Sequence, residues 1–183
     1  LKKEKVDCIV HCGDIAHTKT QISPEFVELC SDFLKNLATI APTYIILGNH
    51  DGNLRNSYRQ DAITPIVVAL EHPNLHLLKS AGETHINNEF CLNVLSVFDE
   101  DNWAQPTDPK KVNIGLYHGA VKYSRTDIGF VMTHGDHDIS IFDNFDYAFL
   151  GDIHKTQDLN KEKTIAYAGS TIQQNFGETD DKG

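Results

Sequence analysis

Thr43-Tyr44-Ile45-Ile46-Leu47-Gly48-Asn49-His50-Asp51 passes from an apolar, β-branched run straight into a turn crowded with polar side chains. A short apolar run of this kind, closed by glycine, reads as a buried strand that delivers polar groups at its C-terminal end. Upstream, Val6-Asp7-Cys8-Ile9-Val10-His11 has the same texture and ends at Gly13-Asp14. Between them, Ser23-Pro24-Glu25 supplies an N-cap with proline at the first helical position. Phe26, Leu29, Cys30, Phe33, Leu34 and Leu37 then recur at i, i+3, i+4 spacing, which predicts an amphipathic helix packed on a sheet. Strand, helix, strand in this order implies a parallel, right-handed unit and an α/β fold.

Further along, a second helix is expected between Asn56 and Leu70, started, kinked or split by Pro65. From Leu75 onward the texture turns to β. Residues 75–78, 90–97, 112–117, 147–150 and 164–168 each read as short strands between turn-rich segments, giving two mixed sheets flanked by helices. The Asp- and Pro-rich segment 99–111 around Trp103 reads as a surface loop. With 183 residues, 40% of them hydrophobic, residues 1–183 are expected to form one domain.

The formal net charge of −10 argues against a simple nucleic-acid-binding module that holds phosphates on a broad basic surface. It leaves room for an enzyme acting on a phosphodiester, because clustered carboxylates that bind divalent cations make a sequence acidic while the loaded site is locally positive. Cys8, Cys12, Cys30 and Cys91 show no Cys-x-x-Cys spacing and read as reduced core thiols. No run is long and apolar enough for a membrane helix, and the basic start Leu1-Lys2-Lys3-Glu4-Lys5 is not followed by a signal-type stretch. The expectation is a soluble, cytoplasmic protein, with association with the nucleoid, or the host cytoplasm if phage-encoded, as the alternatives. The start at Leu1, close to the first strand, suggests a fragment whose natural N-terminus lies upstream.

Asp14, then Asn49 with His50, then His118, then Asp152 with His154 stand at or just after the C-terminal ends of expected strands, the edge of an open α/β sheet where sites form. One Asp or Asn after a strand is ordinarily a turn or helix cap. Four such ends with matching chemistry are harder to dismiss. Carboxylate oxygen, amide oxygen and imidazole nitrogen suit divalent ions such as Mn, Fe or Zn. Two such ions roughly 3.5–4 Å apart neutralise charge building on phosphorus during in-line displacement.

In order and separation, Gly13-Asp14, Gly48-Asn49-His50-Asp51, His118-Gly119 and Gly151-Asp152-Ile153-His154 resemble the motifs of the calcineurin-like metallophosphoesterases. The resemblance implies a four-layer α-β-β-α sandwich and two divalent metal ions, Mn first, with Fe, Zn or Mg as alternatives. It makes Asp14 the bridging ligand, Asn49 and His118 ligands of the second ion, and His154 of the first. His50 becomes the general acid, oriented by Asp51. Within the family, the sequence is most similar to the nuclease subunit of the SbcCD and Mre-type recombination complexes and their phage counterparts. His17 in Gly13-Asp14-Ile15-Ala16-His17 stands where those nucleases carry a histidine near the scissile phosphate, and the stretch Tyr167-Ala168-Gly169-Ser170 to Phe176-Gly177-Glu178 resembles the segment after their last metal motif. The implied partners are DNA and an ATPase subunit of the SbcC or Rad-type coiled-coil class; a homodimer is also compatible.

Two departures accompany the resemblance. The family's opening Asp-x-His motif, which supplies two ligands of the first ion, is not found before Asp14. Asp152 replaces the first histidine of the nucleases' Gly-His-x-His and is retained as a ligand with a harder donor. Thr133-His134-Gly135-Asp136-His137-Asp138 is a competing His-Gly cluster, but His118 is preferred because it ends an apolar strand; His134 and His137 then read as loop or surface residues. His11 reads as a core histidine, and Arg55, Arg59, Lys122 and Arg125 as solvated surface. The leading function is therefore a two-metal DNA exo- or endonuclease subunit acting in recombination or repair. The alternatives are a phosphoesterase for a small nucleotide or phosphoprotein, and a non-catalytic scaffold of the same fold.

Overall fold

The computed structural model describes residues 5–18, 21–56, 58–178 and 182. Most of the basic start, residues 1–4, lies outside the described residues. The chain forms two compact units, residues 1–79 and 80–183.

The first unit has a three-stranded parallel sheet in the order β1 (Ile9–His11), β2 (Thr43–Ile46), β3 (Leu75–Leu78). All four residues of β2, the central strand, are buried, as the apolar run predicts for a strand paired on both sides. Helix α1 (Pro24–Ala38) starts where the sequence says: the Ser23 hydroxyl accepts the Phe26 N–H at 3.2 Å. Its buried stripe is narrower than the expected six residues. Cys30, Leu34 and Ala38 lie on one i, i+4 row, whereas Leu29 is 71% exposed and Phe33 40% exposed. Each stands about 100° around the helix from the row's Cys30 or Leu34. Helix α2 (Thr64–Leu70) is shorter than the allowed span because Pro65 in its first turn starts it rather than kinking it. Asp61 accepts the Ile63 and Thr64 N–H groups at 3.0 and 2.6 Å and pairs with Lys79 at 2.7 Å.

The second unit is built on a six-stranded mixed sheet. In spatial order it runs β4 (Gly82–His85), β5 (Phe90–Leu95), β6 (Val112–His118), β7 (Tyr147–Gly151), β9 (Ile165–Tyr167) and β8 (Gln157–Asp158). Strands β5, β6, β7 and β9 are parallel, and the outer strands β4 and β8 are antiparallel to their neighbours. Its core gathers Tyr117, Val121, Phe142, Phe145, Leu150 and Tyr167. The segment around Trp103 does more than cover the surface. Its indole N–H donates to Ser96 O at 2.8 Å, and its ring meets Tyr117 edge-on at 5.7 Å. The α/β class is the one found, with one parallel and one mixed sheet and with helices.

Candidate metal centre

In the first unit, the residues singled out by sequence lie on the turns after β1 and β2. Asp14 has φ 57 and follows Gly13 at φ 90, so the chain bends sharply as it leaves β1. The Asp14 carboxylate accepts the His50 N–H at 2.9 Å, which ties the two turns together. Asp51 secures them further. It is fully buried, and its two oxygens accept the N–H groups of Asp14, Ala16 and Gly48, each at 2.8 Å. Burial pushes its carboxyl up to about 6; the Ala16 and Gly48 N–H groups oppose this, and the Asp14 charge adds to it.

This changes the expected role of Asp51. Its oxygens serve the backbone, and the contact that orients the His50 ring comes from His17, whose carbonyl lies 2.8 Å from His50 Nδ1. A carbonyl only accepts, so Nδ1 carries a proton and Nε2 is the nitrogen that exchanges one. The His17 and His50 rings stack with centroids 6.0 Å apart and planes 18° from parallel, and both side chains are exposed. Asn49, half-buried, stands between Gly48 and His50 on the same turn.

In the second unit the pattern repeats at the ends of β6 and β7. His118, the last residue of β6, pairs in register with Gly151, the last of β7. Asp152 follows at φ 90, with an oxygen 3.9 Å from His118 Nε2. The turn after His118 is held by Tyr167, whose buried hydroxyl donates to Gly119 O and accepts the Val121 N–H, both at 2.8 Å. Burial pushes the Tyr167 phenol up to about 12, so it serves as a neutral hydrogen-bonding strut. Any side chain at Gly119 would start 2.3 Å from the hydroxyl of the buried Tyr117, so only glycine fits beside that ring. His154 pairs through Nδ1 with Glu178 at 2.7 Å. Asp152, His154 and Glu178 line a cleft of about 350 Å³ whose other walls include Ile128, Phe130 and Ile153.

The competing histidines lie elsewhere. His134 is exposed in a loop. His137, in a loop as expected, packs its ring on Trp103 at 4.7 Å and Tyr117 at 5.8 Å, with Glu100 at 3.8 Å. His11 meets Phe33 edge-on at 6.1 Å, and His76 stacks on Tyr44 at 4.8 Å. Arg55, Arg59, Lys122 and Arg125 are exposed, as expected of solvated cations. The four cysteines form no disulfide, and burial pushes Cys12 up to about 12 and Cys30 to about 11. Glu83, His85 and Cys91 cluster within ligand distance, but the Glu83 carboxylate takes the Thr107 N–H and hydroxyl, and Lys111 Nζ sits 3.2 Å from His85 Nδ1. A resident ammonium there opposes a metal cation.

The donors the sequence singled out do fit divalent ions. Asp14 and Asp152 offer carboxylate oxygens, Asn49 an amide oxygen, and His118 and His154 imidazole nitrogens. The backbone agrees, because a non-glycine φ of 90, as at Asp152, costs on the order of 1–3 kcal/mol and such strain gathers at functional positions. Two contacts here have no local sequence signal: those of the Tyr167 hydroxyl, and that of Glu178, which stands in the sequence only as the end of a family-like segment.

Parallel strands ending in carboxylate, amide and imidazole donors offer what a divalent-metal site on an α/β scaffold needs. The chain belongs to the calcineurin-like phosphoesterase family, whose sequence profile matches residues 1–160. It is 42% identical over 182 residues to "Uncharacterized protein R555" of Acanthamoeba polyphaga mimivirus, an alignment covering 93% of this chain and 13% of that protein. It is 25% identical over 196 residues to "Putative phosphoesterase 244L" of Invertebrate iridescent virus 6, covering 97% of this chain and 62% of that protein. The chain thus spans only part of both viral relatives. No helix among the described residues is long and apolar enough to cross a membrane.

Proposed function

We propose that this chain is the catalytic region of a two-metal phosphodiesterase that cleaves DNA, working in recombination or repair with a coiled-coil ATPase in the cytoplasm or the host cytoplasm. The observation that carries the nuclease reading is the 2.7 Å contact between His154 and Glu178. It binds the segment that resembles the SbcD and Mre-type nucleases directly to the last metal motif.

Asp14, Asn49, His118, Asp152 and His154 are the proposed ligands, and Mn the proposed ion. When bound, the ions supply Lewis acidity and positive charge against the phosphate. His50 is the proposed general acid, delivering a proton from Nε2 to the leaving oxygen while His17 O holds Nδ1. The exposed His17 ring beside it is the proposed phosphate contact. Asp51 keeps the Asp14 and Asn49 turns in place through the backbone.

A second reading, a phosphoesterase for small nucleotides or phosphoproteins, is favoured by the cleft of about 350 Å³ beside Asp152 and His154, which is within the size range of small-molecule sites. One assay separates the two. The full-length protein with Mn²⁺ is given linear duplex DNA and bis(p-nitrophenyl) phosphate, with and without the ATPase. Cleavage of both supports the nuclease; hydrolysis of the small diester with DNA left intact in every condition would remove it.

A further inference from the structure

We propose that Glu178 is the positioning residue for His154: it fixes the tautomer in which Nδ1 carries the proton and Nε2 keeps the lone pair for a divalent cation. The proposal rests on the reading of His154 as a metal ligand and adds a residue that neither the motifs nor the family match assigns.

The contact is short, at 2.7 Å, and spans 24 residues of sequence. An ionised carboxylate has no proton to give, so the hydrogen bond exists only if His154 Nδ1 is the donor. In solution a neutral imidazole samples both tautomers; here one is selected. Glu178 is well suited to remain an anion. Its side chain is only 5% exposed, yet both oxygens are fully engaged. Oε1 accepts from His154 Nδ1 and from Asn175 Nδ2 at 3.0 Å, and Oε2 accepts the Gln174 N–H at 2.9 Å and faces Lys182 Nζ at 3.1 Å.

The surrounding chain is arranged to present that carboxylate. Gln173 Nε2 donates to Glu178 O at 2.8 Å, and the Gly177 N–H donates to Asn175 Oδ1 at 2.9 Å, closing a tight turn over residues 173–178. Lys182 also donates to both Asp127 oxygens at 3.2 Å and to His154 O at 3.2 Å, so one cation anchors the carboxylate, a cleft-wall acid and the backbone of His154 itself. A histidine ligand backed by a carboxylate on its other nitrogen is a recurring device at metal sites, and loss of the backing group typically lowers metal affinity about 10–100-fold.

The test uses the full-length protein and its Glu178→Ala, Glu178→Gln and His154→Ala variants. The His154 tautomer is read in the metal-free protein from ¹⁵N ring shifts, and Mn²⁺ affinity from titration calorimetry. Wild type is expected to show a protonated Nδ1. Glu178→Ala should shift His154 toward the other tautomer and weaken Mn²⁺ binding about 10–100-fold. Glu178→Gln keeps an acceptor oxygen and the side-chain volume, so it should retain the Nδ1–H tautomer with a smaller loss, and it serves if the alanine variant does not fold. An unchanged tautomer and affinity in Glu178→Ala, with His154→Ala still weakened, would overturn the positioning role while leaving His154 a ligand. Unchanged Mn²⁺ affinity in His154→Ala would remove His154 as a ligand, and the proposal with it, even if Glu178→Ala switched the tautomer.

Discussion

Replacing Asp51 by alanine isolates the group that holds the Asp14 and Asn49 turns. The substitution removes the acceptor for three N–H groups, of which Ala16, 1% exposed, and Gly48 are buried. Two stranded buried donors cost roughly 2–6 kcal/mol at about 1–3 each. An opposing effect depends on pH. Burial raises the Asp51 carboxyl from 3.8 to about 6 in the folded protein. A group whose folded value lies above its unfolded one gives its full stabilisation below the unfolded value and loses it as pH rises through the folded value. At about 1.4 kcal/mol per pH unit, the buried charge therefore costs wild type roughly 3 kcal/mol by pH 7, most of it incurred between pH 4 and pH 7. Alanine carries no such charge. The penalty of Asp51→Ala should thus be largest near pH 4 and shrink by roughly 2 kcal/mol by pH 7. Urea unfolding of chelator-treated wild type and variant at pH 4, 5, 6 and 7 measures it. A penalty below about 1 kcal/mol at pH 4, or one that grows with pH, would refute both the clamp and the direction of the shift.

Other substitutions probe separate parts of the account. His50→Ala should leave metal content unchanged by elemental analysis while lowering turnover about 10²–10⁴-fold, the usual contribution of a general acid. Tyr167→Phe strands the Val121 N–H and should cost about 1–3 kcal/mol in urea unfolding. Asp61, held low by Lys79 and Thr64 against the effect of burial, gives the opposite pH sign to Asp51. Wild type should exceed Asp61→Asn in stability by about 1–2 kcal/mol at pH 7, and the advantage should disappear as pH falls through the ordinary value of 3.8 and below.

The legible parts of the fold were those governed by local chemistry. The apolar run 43–47 reads as a buried strand and forms one, and Ser23-Pro24 reads as a helix start and opens one. The ends of β1, β2, β6 and β7 were readable for the same reason, and they carry every proposed ligand. Gly82-Glu83-Thr84-His85 gave no strand signal because β4 pairs on one side only and needs no apolar run; β8, two residues long, has no periodicity to read. Leu29 fitted the helical spacing yet faces outward, since spacing fixes a face but not its width. Long-range hydrogen bonding was beyond reach. That Asp51 serves the backbone of Asp14 and Ala16, that His17 O holds His50, and that Glu178 meets His154 depend on partners 24 to 37 residues apart, which no local pattern records.

On the proposed function, the protein hydrolyses phosphodiesters with divalent ions held by the residues at the strand ends. The direct measurement is the rate of bis(p-nitrophenyl) phosphate hydrolysis by the full-length protein as purified, after exhaustive chelation, and after Mn²⁺ is restored. Activity that disappears on chelation, returns with Mn²⁺ and fails to return in Asp14→Ala is the predicted result. A rate that is the same in chelator as in Mn²⁺, or an Asp14→Ala protein restored as fully as wild type, would contradict the account.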